Sequence, residues 1–168
     1  ARAAAPRSAA LCQTATPAMQ GNTPTVGTGQ WSIISGGGTF ANTANPTSTV
    51  SNMPPGQNVF VWAISSNPCP VSRDTVVYNI DASPTVANAG PNQTVCGQSA
   101  TLAGNSPVIG NAVWTVSSGA GNIANVNQGN SPVSGLNPGP NTFTWTISNG
   151  VCPSTSSNVT ITAVMPPD

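Results

Sequence analysis

Apolar and hydroxyl side chains alternate with a period of two over residues 141–148, NTFTWTIS, and again over residues 158–163, NVTITA. Phe143, Trp145 and Ile147 fall on one face of the first segment and Thr142, Thr144 and Thr146 on the other; Val159, Ile161 and Ala163 oppose Thr160 and Thr162 in the second. Such alternation predicts strands with one face in a core and the other toward solvent, and the intervening SNGVCP reads as their hairpin connection. Ala112, Trp114 and Val116 form a further inner face, as do Trp31 and Ile33 earlier in the chain, and SATLAG begins another strand after Cys96. No stretch sustains a helical period, and 17 Gly and 17 Pro punctuate the chain at short intervals. The expected fold class is therefore all-β.

The pattern occurs twice. Trp31, Trp62 and Cys69 recur as Trp114, Trp145 and Cys152 at one constant offset, and Cys12 recurs as Cys96 with the offset longer by a single position. Val50, Phe60, Ile64 and Val76 likewise return as Val133, Phe143, Ile147 and Val159, and Pro55-Gly56 as Pro138-Gly139. An internal repeat of this length predicts tandem modules. Their expected extents are residues 1–82 and 83–168, each with about seven strands in a two-sheet sandwich with Greek-key connections. In the first unit the leading segment ARAAAPRSAAL departs from its counterpart TVANAGPNQTV. Two outcomes follow: Ala3, Ala5 and Leu11 fill the places of Ala87, Ala89 and Val95, or the sheet edge stays open to a strand from another subunit, such as the C-terminal TAVMPPD. The final Pro166-Pro167-Asp168 aligns with the start of a further unit, and the opening residues lack the apolar core of a signal peptide, so the expectation is a mature or excised piece.

Charge narrows the function classes. Only Arg2, Arg7, Arg73, Asp74, Asp81 and Asp168 are ionised at neutral pH, 4% of the chain, against about 25% in an ordinary soluble domain. Three scattered arginines cannot neutralise a nucleic-acid backbone, and no apolar run approaches a membrane span. There is no His, Lys or Glu, so neither a nucleophile with its base nor a paired-carboxylate site can be assembled around Asp74 and Asp81. The chain is read as non-catalytic, with no cofactor. A surface with so little repulsion favours association with copies of itself.

Four cysteines suggest staples for two small cores. Cys12/Cys69 and Cys96/Cys152 have separations that differ by a single position, and the repeat symmetry favours this pairing among the three connectivities available, one disulfide per unit. Each would stabilise by about 4 kcal/mol in a chain-entropy account. Zinc is the competing use, but no His and no close Cys pair supports it. Disulfides imply an extracellular location.

The segments ANAGPNQTVCG, VWTVSSGAG and SPVSGLNPGPNTFTWTISNGVCP resemble the polycystic kidney disease (PKD)-like and immunoglobulin-like tandem repeats of very large cell-surface proteins in Bacteroidota. The resemblance covers the second repeat and the first from Cys12 onward. It implies export by type IX secretion and a role as adhesin, gliding-associated surface filament or spacer in a secreted enzyme. Asp74-Thr75-Val76 resembles the O-glycosylation signal of that phylum, making Thr75 a candidate acceptor; a strand pair with Arg73 is the plainer reading of Asp74. The resemblance does not carry calcium sites, since acidic clusters are absent.

Among candidate binding features, the four tryptophans share the inner register with Phe, Ile and Tyr78 and read as core aromatics before sugar-stacking platforms. The threonine rows are ordinary outward strand chemistry before an ice-binding surface. The outer faces of the two units differ: where the second has Thr142, Thr144, Thr146 and Thr160, the first has Val59, Val61, Ala63 and Val77. This row is a candidate interface, with the other repeat, a sister chain or a neighbouring strand as cover, or else tolerated surface apolarity. The expected role is a structural or adhesive element of an extracellular bacterial filament or repeat adhesin, with like repeats and surface glycans as partner classes. A carbohydrate-binding or spacer module of a secreted hydrolase is the alternative.

Overall fold

The strongest alternation forms the longest strands. In the computed structural model, which describes residues 1–2 and 7–167, the chain divides into unit 1 (Ala1–Ser83) and unit 2 (Pro84–Asp168). Among the described residues every helix-or-strand element is a strand.

Unit 1 contains β1 (Ser8–Cys12), β2 (Thr28–Ser35), β3 (Thr39–Phe40), β4 (Val50–Ser51), β5 (Gly56–Ser66) and β6 (Cys69–Asp81). Its main sheet has the order β1-β6-β5-β2, with β1 parallel to β6 and the other neighbours antiparallel. The short β3–β4 pair lies apart from it, extended by an isolated bridge between Ala18 and Thr49. Unit 2 contains β7 (Gln93–Cys96), β8 (Ser99–Thr101), β9 (Asn111–Ser118), β10 (Asn122–Ile123), β11 (Pro132–Ser134), β12 (Gly139–Ser148) and β13 (Thr155–Val164). Its sheets run β7-β13-β12-β9 and β10-β11-β8, and β7 is parallel to β13. Among the described residues unit 1 thus has six strands rather than seven. The missing partner is the segment around Ala18, where Pro17 lacks the N–H that a ladder needs and pairing shrinks to the single bridge.

The leading strand of unit 1 is completed within the chain. Ser8 to Cys12 pair in parallel with Val77 to Asp81, and Ala9 and Leu11 pack against the core. The open-edge expectation is corrected accordingly: a short strand with two inward apolar side chains is enough to occupy the edge of β6. Ala3 and Ala5 lie outside the described residues. The expected donor segment is also in use, because Thr162, Ala163 and Val164 belong to β13 of their own unit.

Each core is built on a cross-strand tryptophan pair. Trp31 lies opposite Trp62 with ring centroids 5.1 Å apart, and Trp114 opposite Trp145 at 4.8 Å. Every indole N–H is satisfied by a backbone carbonyl: Trp31 donates to Pro46 and Trp114 to Gly129, both at 3.2 Å, while Trp62 donates to Asn22 at 3.1 Å and Trp145 to Asn105 at 3.0 Å. The acceptors follow the same repeat offset as the donors. Burying an indole without such a partner would cost about 1–3 kcal/mol.

Inner faces end sooner than the alternation implies. Trp31 and Trp114 are buried, but every residue of β2 and β9 beyond them is exposed, so Ile33 and Val116 are surface residues, not core. The cause is the position of β2 and β9 on the sheet edge, together with register shifts beside Ile33 and Phe143 that carry the strand ends out of line.

Candidate functional site

The cysteines fall into two positional classes. Cys12 closes β1 opposite Asp81, the last residue of β6, and its sulfur lies 3.8 Å from the Ser83 hydroxyl. Cys96 closes β7 opposite Val164, the last residue of β13. These are strand-end cysteines. Cys69 opens β6 in the hairpin after β5, opposite Ser66, and Cys152 sits in the hairpin between β12 and β13, its N–H donating to the Asn149 carbonyl at 3.1 Å. These are hairpin cysteines.

Within a unit the two classes occupy opposite poles. Cys69 and Asp81 are the two ends of one long strand, β6, roughly 40 Å apart at the usual rise per residue. The full length of β13 separates Cys152 from Cys96 in the same way. A disulfide requires Cα atoms within about 7 Å. The expected Cys12/Cys69 and Cys96/Cys152 bridges are therefore overturned: Cys12 and Cys152 are disulfide-bonded, and Cys69 and Cys96 are exposed free thiols. Equal sequence separation reflected the repeat and not proximity.

The poles also have a direction. Unit 2 begins beside its hairpin, where the Thr155 hydroxyl donates to the Thr85 carbonyl at 2.8 Å, and ends beside Cys96, whose neighbour Gly97 donates to the Val164 carbonyl at 2.8 Å. In unit 1 the amino group of Ala1 bonds Ser72 near the hairpin, and the Gln13 N–H donates to the Asp81 carbonyl at 2.9 Å beside Cys12. Chain entry and the hairpin cysteine share one pole; chain exit and the strand-end cysteine share the other.

The candidate apolar row is more covered than its sequence suggests. Val61 is buried at 7% exposure, and Val59, Ala63 and Val77 are half-buried. Flanking strands cover it, since Val61 lies between Ser32 on β2 and Thr75 on β6. The expectation of an exposed row is corrected to a part-covered sheet face. The exposed large apolar residues of this sheet are Ile33 and Ile34 on its edge strand β2 and Val71 near the start of β6.

Thr75 is exposed and its N–H donates to the Asp74 carboxylate at 3.0 Å. Asp74 forms an ion pair with Arg7 at 3.4 Å; exposed on its arginine side, such a pair contributes little. Burial pushes the Tyr78 phenol above its ordinary value. The four tryptophans are all core residues, at most 2% exposed.

Two buried polar pairs carry structure that the strand pattern did not reveal. Asn58 and Asn141 are fully buried. The Asn58 side chain accepts from Gly37 N–H at 2.9 Å and donates to the Pro54 and Gly56 carbonyls; Asn141 accepts from Ala120 at 2.8 Å and Asn137 at 3.1 Å and donates to Asn137 and Gly139. Each ties a loop to the start of the central strand, next to a left-handed glycine, Gly36 or Gly119, with φ of 79° and 76°. Ser48 and Ser131 accept from the backbone of Asn42 and Asn125 at 2.9 and 2.8 Å. Identity at the repeat offset was the available signal for both pairs.

Among the described residues no three His, Cys, Asp or Glu side chains gather as metal ligands, and no helix is long and apolar enough to cross a membrane.

No protein-family model and no curated protein matches the chain. Solved structures do. The insect immune protein hemolin, whose domain arrangement is described as having implications for homophilic adhesion, matches with a TM-score of 0.54 at 9% identity over 94% of this chain. The chain spans 45% of the length of hemolin. A PKD domain of the KIAA 1837 protein matches 49% of this chain and 90% of its own at 25% identity, with a TM-score of 0.43. The human CDH23 EC21-23 structure matches 95% of this chain and 72% of its own at 12% identity, with a TM-score of 0.47. The fold is immunoglobulin-like.

Proposed function

We propose that this chain is a non-catalytic structural or adhesive element of an extracellular surface filament or repeat adhesin. It consists of two tandem immunoglobulin/PKD-like modules at residues 1–82 and 83–168, and its work is to extend, space and hold. The observation that carries this reading is the atom-level recurrence of the two units. The same main-sheet order, tryptophan pair, indole acceptors and buried asparagine return at one constant offset. What recurs is framework: the four tryptophans and the two buried asparagines are consumed in it. The sequence resemblance supports a bacterial surface context and export by type IX secretion.

The carbohydrate-binding alternative is disfavoured by one specific point. Sugar stacking needs an exposed aromatic face, and all four tryptophans are buried. A spacer role in a secreted hydrolase needs no such face and uses the same framework.

Electron microscopy of the purified protein over a concentration series tests the reading. Ordered filaments that persist in reducing agent support a self-associating structural element. Single particles at every concentration contradict self-assembly of this chain.

A further inference from the structure

Asn149-Gly150 is the one Asn-Gly pair in the sequence, and it sits in the hairpin between β12 and β13. The Cys152 N–H donates to the Asn149 carbonyl at 3.1 Å, which closes a turn with Gly150 and Val151 at its centre. Gly150 takes a φ of 50° there, a conformation that glycine adopts without strain. The turn uses the N–H of Cys152 and not that of Gly150, for which no acceptor stands among the described residues. Gly150 and Val151 are exposed and Asn149 is half-buried.

No other asparagine combines these conditions. The hairpin of unit 1 carries Asn67-Pro68 instead, and Asn45-Pro46 and Asn137-Pro138 are of the same kind; proline has no N–H. At Asn130-Ser131 the serine is buried and its N–H donates to the Gln128 carbonyl at 3.2 Å. At Asn105-Ser106 the asparagine amide is held at both ends, its oxygen accepting from the Asn88 N–H at 2.8 Å and its nitrogen donating to the Val86 carbonyl at 3.0 Å. Every remaining asparagine precedes a residue whose Cβ crowds the approach to the backbone nitrogen.

We propose that Asn149-Gly150 is a self-modification site, at which the folded chain converts Asn149 to an acid without an enzyme. The Gly150 nitrogen, losing its proton to solvent base, attacks Cγ of the Asn149 side chain. The new N–C bond closes a succinimide ring, the bond from Cγ to Nδ2 breaks, and the amide nitrogen leaves as ammonia with a proton taken from solvent. Water then adds to either imide carbonyl. Attack at Cγ gives aspartate; attack at the backbone carbonyl gives isoaspartate, with the main chain routed through Cγ. The sum is amide plus water to carboxylic acid plus ammonia, and nothing is oxidised or reduced. At neutral pH the new carboxyl is ionised, so a chain of zero net charge becomes negative by one, which adds repulsion between copies. The charge appears in unit 2 alone, because Asn67-Pro68 offers no such nucleophile.

The test incubates the full chain at neutral and mildly alkaline pH, folded and in urea, in water enriched in heavy oxygen. Isoelectric focusing and peptide mass mapping follow, beside N149Q, whose ring would need an extra atom, and N149D as the migration standard. The wild type is expected to shift by one negative charge to the position of N149D, faster at the higher pH, with heavy oxygen and isoaspartate at residue 149 and neither at Asn67. N149Q, its fold verified by tryptophan fluorescence, is expected to keep its original position. The absence of an acidic form, one that arises in urea but not in the folded chain, one that N149Q forms as fast as the wild type, or one mapped first to Asn105 or Asn130 would overturn the proposal.

Discussion

Unit 1 buries Tyr78, Met19, Met53 and Phe60 where unit 2 buries Ile161, Leu102, Leu136 and Phe143. Its core is a chain of rings: Trp31 stacks on Phe40 at 5.9 Å, Phe40 meets Phe60 edge-on at 5.5 Å, and Phe60 contacts Tyr78 at 6.0 Å. Unit 2 replaces Phe40 and Tyr78 of that chain with Ile123 and Ile161 and keeps only the tryptophan pair and Phe143. On the opposite sheet face, Thr144 bonds the Asn158 side chain at 2.7 Å, whereas its counterpart Val61 packs beside Thr75. The difference teaches which positions specify the frame. Filling tolerates exchange of shape at similar volume, while the tryptophan pair, its carbonyl acceptors and the buried asparagine are the same in both.

The largest effects should come from breaking what the units share. Trp62→Ala or Trp145→Ala removes a fully buried indole and should cost its unit about 3–5 kcal/mol, read as an early transition for that unit alone in a urea melt. Asn141→Ala strands the Ala120 and Asn137 N–H groups and should cost about 3 kcal/mol. Asn58→Ala should act similarly on unit 1, and equal losses would confirm that the two asparagines do the same work.

Gly104→Ala separates the units. A Cβ there would lie 2.8 Å from Trp114 Cζ2 and 3.0 Å from Trp145 Cε2, whereas at Gly21 the closest approaches to Trp31 and Trp62 are 3.1 Å. The expected cost is about 2 kcal/mol at Gly104 and less at Gly21, measurable by thermal denaturation of the two variants in parallel.

Exchanging the outer faces should matter less. Val61→Thr places a hydroxyl on a part-covered face without the asparagine that Thr144 uses, and should destabilise unit 1 by about 1 kcal/mol. Adding Thr75→Asn should recover part of that loss, and a double-mutant cycle measures the coupling.

The smallest effect is in alkali. Burial raises the Tyr78 phenol above its ordinary 10.0, so the folded state favours the neutral form. Its contribution is fully present below that ordinary value and is lost as pH rises through the folded value. Unit 1 should weaken in base through this group while unit 2, with Ile161 in the same place, does not. Tyr78→Ile should remove the difference in urea midpoints compared at neutral and alkaline pH.

The alternation made the central strands legible because Phe143, Trp145 and Ile147 each face the core of one sheet, where period two translates directly into burial. It failed at Ile33 and Val116, where edge position and register shifts end the core before the pattern ends. The cysteines misled for a different reason. A repeat makes separations equal whatever the fold does, and the distance between Cys12 and Cys69 is set by the length of β6, which sequence spacing does not contain. Asn58 and Asn141 escaped because a polar residue at a strand start looks like loop chemistry until its hydrogen bonds are counted.

A disulfide map of the protein, alkylated before digestion and without reduction, tests most directly the claim that each unit holds its cysteines at opposite poles. The account predicts oxidised Cys12 and Cys152 and alkylated Cys69 and Cys96 in the monomer. A peptide joining Cys12 to Cys69, or Cys96 to Cys152, would contradict it, because either bond requires the two ends of one sandwich to meet.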